Sequence, residues 1–313
     1  MESERHRPAW KTLLAFAIIY FVWGSTYYAI QVGVREVPPF LFAAMRFLVA
    51  GVALYAWTRV RRERAPSGRE WASVALVAFL IFGMDYGLVF WAEQRVASGL
   101  TAVMLATIPA FMALGEIFIL GTQRLTARLV LALLIGLGGV GVLVNRSLDL
   151  GGAPIDRIGA AALLVAAVSW SIASALSRLL PLPGSKMVSS GAQMLVGGMF
   201  LTAISCVLGE YRHFHAASVS RGVWIALAYL VVAGSIIAFT AYVWLLHHES
   251  PTKVGTYAYV NPVVAVVLGY FLGGEELGLR TILGTVFVLI SVVVITTTSV
   301  KKSAKVSIVE EES

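Results

Sequence analysis

The sequence predicts an all-α membrane protein: ten transmembrane helices arranged as two five-helix repeats of inverted topology. Three observations predict it. Residues of the AVILMFWYC set make up 58% of the chain and charged residues only 13%, with a mean hydropathy of +0.83. A soluble domain carries about 25% charged residues because its surface faces water, so most of this surface faces lipid. Ten apolar runs are long enough to cross a hydrocarbon core of about 30 Å, which takes roughly 20 helical residues. Landmarks of the first half also recur in the second at two fixed offsets.

The runs cover 12–34, 40–57, 71–91, 96–120, 126–144, 157–180, 186–208, 222–246, 252–274 and 279–299. The first is preceded by Arg5, Arg7 and Lys11 but is longer than the roughly 7–15 residues of a signal core and contains Trp23, Tyr27 and Tyr28, which marks it as a membrane helix. No linker is long enough for a separate domain. Residues 1–147 therefore read as the first repeat, 155–301 as the second and 302–313 as a polar cytoplasmic tail ending in Glu310, Glu311 and Glu312.

Lys and Arg accumulate on the cytoplasmic side of membrane proteins. The side holding both termini and the even-numbered loops carries sixteen of the 24, the other side seven, and Arg46 lies inside a span. Both termini are thus expected in the cytoplasm, a parity that ten spans satisfy. The net charge of +7 lies in these loop clusters and forms no nucleic-acid recognition motif. Cys206 is the only cysteine, which excludes an intrachain disulfide and a cysteine-based metal cluster; it reads as a small buried hydrophobe.

At an offset of 147, Trp23 matches Trp170, Arg46 matches Gln193, Val49 matches Val196 and Gly51 matches Gly198. After the Arg-rich loop the offset is 153, pairing Trp71 with Trp224, Trp91 with Trp244, Pro109 with Pro262 and Gly121 with Gly274. Each repeat holds five spans, an odd number, so the second must enter the membrane from the opposite face. Repeats of this kind place a substrate site at their interface near the bilayer midplane. Gly136, Gly139, Gly197, Gly198 and the pair Gly269 and Gly273 suit close helix packing.

Charged residues inside a bilayer are expensive, so Arg46, Asp85 and Glu116 are candidates for coupling or gating. At 1.5 Å per residue, Arg46 and Asp85 each lie about 9 Å from the outer face, close enough in depth to pair, whether as a structural ion pair or as a proton-linked switch. Glu116 falls near the cytoplasmic interface, and Glu93, beside Arg95, reads as part of a solvated outer loop. Near the midplane, Trp23 and Tyr27 share one helix face and Tyr257 and Asn261 another. With Trp170 these form a candidate substrate site with aromatic walls and a few hydrogen-bonding groups. Pro109 and Pro262 each remove a backbone donor at matched positions, and are expected to kink the fourth and ninth helices. His247 and His248 point in different directions on a helix and read as interfacial residues, so no metal site is expected.

Several stretches resemble drug/metabolite transporters of the EamA type: Phe21-Val22-Trp23-Gly24-Ser25-Thr26, Arg46-Phe47, Phe90-Trp91-Ala92-Glu93-Gln94, Ala106-Thr107-Ile108-Pro109, Tyr259-Val260-Asn261-Pro262 and Gly274-Glu275-Glu276-Leu277. The resemblance extends from about residue 12 to 299. It departs from the pattern where the first repeat closes with Gly121-Thr122-Gln123 rather than a Gly-Glu pair. It implies a secondary transporter for efflux or uptake of a metabolite, amino acid or drug in a bacterial inner membrane, and the leading expectation is an alternating-access exporter coupled to protons. An uncoupled facilitator and, further off, an intramembrane enzyme are the other readings. The sequence carries no P-loop, His-Glu-x-x-His motif or nucleophile elbow, so neither ATP-driven transport nor enzymatic chemistry has its usual signature. No cofactor is expected. The expected partners are a small solute and the lipid bilayer, and a homodimer is compatible with the sequence.

Overall fold

In a computed structural model, residues 9–121, 124, 126–144, 156–248, 254 and 257–297 are described, and among them all regular structure is helical. The first repeat contributes α1 (Trp10–Val34), α2 (Pro39–Val60), α3 (Gly68–Ala92), α4 (Ser98–Phe118) and α5 (Ala127–Val144). The second contributes α6 (Arg157–Leu176), α7 (Lys186–Val207), α8, α9 (Tyr257–Gly273) and α10 (Leu279–Thr297), where α8 comprises Arg221–Tyr229, Leu230–Ile237 and Ala238–His248. Seven of these helices are long and apolar enough to cross a membrane, and α5, α9 and α10 contain shorter apolar stretches. The terminal tail 302–313, Lys253 and the Thr122-Gln123 pair lie outside the described residues.

The two halves pack reciprocally. α2 lies along α7, α5 along α10 and α4 along α9. α1 packs on α8 and α9 of the second half, just as α6 packs on α3 and α4 of the first. Glycines set the closest approach. A Cβ on Gly51 would overlap the backbone of Leu195, and one on Gly198 would overlap the backbone of Leu48. Leu48 and Leu195 are themselves 147 residues apart, so the α2–α7 seam makes the same contact twice. Bringing backbones together through glycine gains dispersion contact, the main source of helix association where lipid tails are as apolar as the side chains.

The outward faces are apolar. Phe21, Val52, Phe118, Met199 and Phe271 are exposed on different helices, as lipid-facing residues are. Cys206 shares this outward exposure rather than the burial expected of it. In a membrane protein an apolar residue gains nothing from the interior that lipid does not also offer, so hydrophobicity alone does not place a side chain inside.

Three π-helical stretches interrupt the α-helical pattern: Ile18–Val22 in α1, Phe79–Tyr86 in α3 and Leu230–Ile237 in α8. Such segments widen the turn and redirect side chains, and they occur often at functional sites. Here they lie next to Trp23, around Asp85 and around Ser235. α4 is also interrupted, its hydrogen-bond pattern tightening at Ala106 and Thr107 before resuming at Ile108. Pro109 explains the position, since it supplies no N–H for the Leu105 carbonyl. α9, by contrast, continues through Pro262 as α-helix.

Candidate functional site

A cavity of about 50 Å³ lies where α1, α3, α4, α6 and α9 converge. α1 lines it with Trp23, Thr26, Tyr27 and Ile30, and α3 with Asp85, Tyr86 and Val89. Leu105 and Ile108, on either side of the break in α4, contribute one wall, and Trp170, Tyr257 and Asn261 close it from the second half. All five aromatic and amide residues singled out in the sequence are thus brought together, with Asp85 among them. Tyr86 and Thr26 join them; neither stood out from spacing alone, because each has the residue type of an ordinary helix-packing position.

The aromatic rings form a connected cluster. Trp23 and Trp170, equivalent residues of the two repeats, face each other edge to face with centroids 6.5 Å apart. Tyr257 lies 5.3 Å from Trp23, and Tyr86 lies 6.0 Å from Trp170. Behind them Tyr242 of α8 touches Trp23, Trp170 and Tyr257, at 5.0, 6.4 and 6.2 Å. Edge-to-face contacts of this kind hold rings at fixed angles and add to the gain from burial.

Hydrogen bonds then fix some polar atoms and leave others free. The Trp23 indole N–H donates to the carbonyl of Gly234, 3.1 Å away, in the π-helical stretch of α8. Asn261 donates its amide to the carbonyls of Tyr20 and Tyr257, at 2.9 and 3.2 Å, tying α9 to α1. Two buried polar atoms of cavity-lining residues have no hydrogen-bond partner: Oδ1 of Asp85 and Nε1 of Trp170. Asp85 itself is only 4% exposed.

Arg46 does not pair with Asp85. Its Nε donates to the Ser235 hydroxyl at 2.9 Å, and its guanidinium carbon lies over the rings of Phe47, Tyr86 and Phe90 at 4.7, 5.2 and 5.9 Å. It is 1% exposed and stands outside the cavity lining. Similar depth made an Arg46–Asp85 pair plausible, but depth says nothing of direction around a helix axis, and α8 supplies Arg46 with another acceptor. Glu116 also lies away from the cavity, where Arg178, just past the end of α6, approaches it at 3.7 Å.

Glu93 is the clearest departure from expectation. It is 3% exposed, and neither of its carboxylate oxygens has a hydrogen-bond partner, whereas neighbouring Arg95 stacks over Trp91 in a more exposed position. Burial, with the Glu275 carboxylate as a further cause, pushes the Glu93 carboxyl well above its usual range, partly offset by Arg46. The loop reading failed because Glu93 follows a helix end but turns inward, under the segment that carries Glu275.

That glutamate caps a helix of the other repeat. Glu275 accepts from the Ser98 N–H at 2.7 Å, the Ser98 hydroxyl at 2.5 Å and the Gly99 N–H at 3.1 Å, and Gln31 donates to it at 3.2 Å. Its carboxylate sits where a Cβ on Gly269 would be, so this glycine makes room for the cap. A carboxylate at the first turn satisfies orphan N–H groups and complements the helix dipole.

The sequence profile of the EamA-like transporter family matches residues 10–145 and again 157–297. The uncharacterized inner membrane transporter YedA of Escherichia coli (strain K12) is 36% identical over 284 residues, covering 90% of this chain and 89% of YedA. The uncharacterized transporter YoaV of Bacillus subtilis (strain 168) is 24% identical, covering 89% of this chain and 94% of YoaV. A solved crystal structure shares the fold with a TM-score of 0.62 at 22% identity, covering 93% of this chain and 98% of that one.

Proposed function

The chain belongs to the EamA-like transporter family, and on that premise we propose that it carries a small organic solute across a bacterial inner membrane by alternating access, exporting it in exchange for protons. Ten spans and two repeats of opposite orientation, with both termini in the cytoplasm, complete this reading. The observation that carries it is the central cavity, lined from both repeats and containing an unpartnered buried carboxylate, Asp85. A carboxylate in such a place keeps its charge only while a cation sits against it and otherwise takes a proton, which is the exchange that a proton antiporter performs.

The cavity is too narrow for an organic solute. About 50 Å³ is room for about four water molecules, whereas ligand pockets run to some 300–1,000 Å³. Admitting a solute requires the helices around the cavity to part. The broken turn of α4, whose residues Leu105 and Ile108 form one wall, interrupts the regular helical hydrogen bonding and suits such a movement. Glu116 and Arg178, at the opposite end of α4 from Ser98, belong on this reading to the contacts that close the cytoplasmic side.

The test uses purified protein in liposomes enclosing a pH-sensitive dye, with an imposed proton gradient and a panel of amino acids, nucleosides and organic cations. Solute-dependent proton movement that is lost in Asp85→Asn and kept in Glu116→Gln is the expected result. Solute movement with no proton movement, unchanged in Asp85→Asn, would overturn the exchange.

A further inference from the structure

The two halves of the protein are alike in frame and differ at the cavity. Asp85 corresponds to Ala238 at the offset of 153, so only the first repeat places a carboxylate there. The two equivalent tryptophans differ as well. Trp23 donates to the carbonyl of Gly234 at 3.1 Å. The matching position on α3 is Ile81, and the adjacent carbonyl, that of Leu80, is already taken by the Ser169 hydroxyl at 2.8 Å. Trp170 therefore keeps a free indole N–H. The repeat symmetry thus breaks at two polar groups, and both are unpartnered groups of cavity-lining residues.

A buried polar atom without a partner costs about 1–3 kcal/mol, and more when charged, so a structure that keeps two on the residues around one cavity has a use for them. Their chemistry is complementary to one kind of ligand. The carboxylate calls for a positive charge. The indole N–H calls for an acceptor. The rings of Trp23, Tyr86, Trp170 and Tyr257 offer faces to a cation, which aromatic rings attract more strongly when both are removed from water. No Lys or Arg is among the lining residues; Arg46 stands outside the lining over the Tyr86 ring, with its Nε on Ser235 and its Nη1 without a partner. A carboxylate on the ligand would find no cation in the lining and would face Asp85.

We propose that the cavity binds compact organic cations that carry a hydrogen-bond acceptor and no carboxylate, with Asp85 holding the positive charge among the aromatic rings and the Trp170 indole N–H holding the acceptor. This rests on the transport reading and narrows it to a substrate class. Amines and quaternary ammonium compounds with a hydroxyl or amide group fall inside the class; zwitterionic amino acids fall outside it.

The test is equilibrium binding to the full-length protein in detergent, read by tryptophan fluorescence and confirmed by calorimetry, with two shape-matched series. In the first, choline is compared with neohexanol, its uncharged isostere, and with glycine betaine, which adds a carboxylate. In the second, phenylalaninamide is compared with phenylalanine. The expected result is that at least one series shows the cation binding about 30-fold or more tighter than its counterparts, the scale of a hydrogen bond to a charged group. Asp85→Asn brings the members of that series within about threefold of one another, while Trp170→Phe keeps the charge preference and weakens the cation about fivefold, as loss of one hydrogen bond does. Both variants are accepted only if they keep the wild-type thermal unfolding transition within a few degrees; if Asp85→Asn does not, Asp85→Glu serves and should retain the cation preference. Equal binding of cation and counterpart in both series, or a preference that survives Asp85→Asn, overturns the proposal. The same compounds in the liposome assay separate the two readings: transport of neutral or zwitterionic solutes without cation preference sinks the substrate class and leaves transport standing, while tight cation binding with no movement of any solute sinks transport and leaves the site.

Discussion

Glu275→Ala tests whether the two repeats are held together at one end by a helix cap. The substitution removes both oxygens that accept from the Ser98 N–H, the Ser98 hydroxyl and the Gly99 N–H. Hydrogen bonds to a charged group contribute about 1.5–3 kcal/mol each, but the serine hydroxyl can turn elsewhere and the site is only part-buried, so the expected loss is about 2–4 kcal/mol rather than the full sum. Glu275→Gln keeps one acceptor and the shape while losing the charge that complements the α4 dipole, for an expected loss of about 1–2 kcal/mol. Thermal unfolding in detergent gives the ranking, and hydrogen exchange over Ser98–Leu105 gives the location, with protection falling there first. Losses below about 0.5 kcal/mol for both variants, or loosening that spares the start of α4, would refute the capping argument.

Three further outcomes follow from the geometry. Gly51→Ala and Gly198→Ala each drive a methyl into the facing backbone, of Leu195 and Leu48 respectively, and should destabilise by similar amounts of about 1–3 kcal/mol in thermal unfolding; a loss confined to one would show that the seam is not reciprocal. Arg46→Lys removes the planar group that reaches Ser235 while lying over three rings, and is expected to cost about 2–4 kcal/mol in the same assay, despite keeping the charge; a loss under about 0.5 kcal/mol would mean the fork and stacking are dispensable. Glu36, in the α1–α2 turn, accepts from the Ser220 N–H at 2.7 Å, which holds its carboxyl below the ordinary value of 4.5. Because the folded value is lowered, the stabilisation is present above the unfolded value and is lost as pH falls through the folded one. Hydrogen exchange at Ser220, corrected for intrinsic rates, should therefore quicken only below about pH 4.5, and in Glu36→Gln should lose that dependence.

The helical frame and its two repeats were legible in the sequence because they depend on sums over many residues: apolar length and the offsets of tryptophan, proline and glycine. The aromatic site was legible for a related reason. Trp23 and Trp170 are large, rare and equivalent, and equivalent residues of two packed repeats come close when both face the seam between them. What was not legible depends on direction and on single backbone atoms. Arg46 and Asp85 matched in depth but not in azimuth. Arg46 found Ser235, while its counterpart Gln193, opposite Phe82 at the position equivalent to Ser235, turns back to Ser189 of its own helix at 2.8 Å. Glu93 looked like a loop residue because sequence distance from a helix end says nothing about which way the side chain turns. The π-helical stretches have no side-chain pattern of their own, and they decide which carbonyl Trp23 can reach.

The helix caps also divide the bundle into two unlike ends. At the end where α2, α4, α6 and α8 begin, carboxylates from other helices or their connecting segments accept from three of these four starts, Glu210 on Leu41 at 2.8 Å, Glu275 on Ser98 at 2.7 Å and Glu36 on Ser220 at 2.7 Å, while α6 is capped by its own Asp156 on Gly159 at 3.0 Å. At the other end, α3, α5 and α7 are capped within their own segments, by Ser67 with Glu70, by Thr126 and by Ser185. Parting the first end must break contacts between helices, whereas parting the second leaves every one of these caps intact. Opening of the first end is therefore the step that substitutions at the caps should favour. With Cys206→Ser as background, Thr101→Cys places a thiol one turn into α4 at a fully buried position, and its labelling by a membrane-impermeant maleimide reports that opening. Adding Glu275→Gln should speed labelling about tenfold, the change that about 1.4 kcal/mol makes in a minor population. Labelling unchanged by Glu275→Gln would mean that the end opens without disturbing the α4 cap, and the assignment of the caps between helices to holding that end shut would fall.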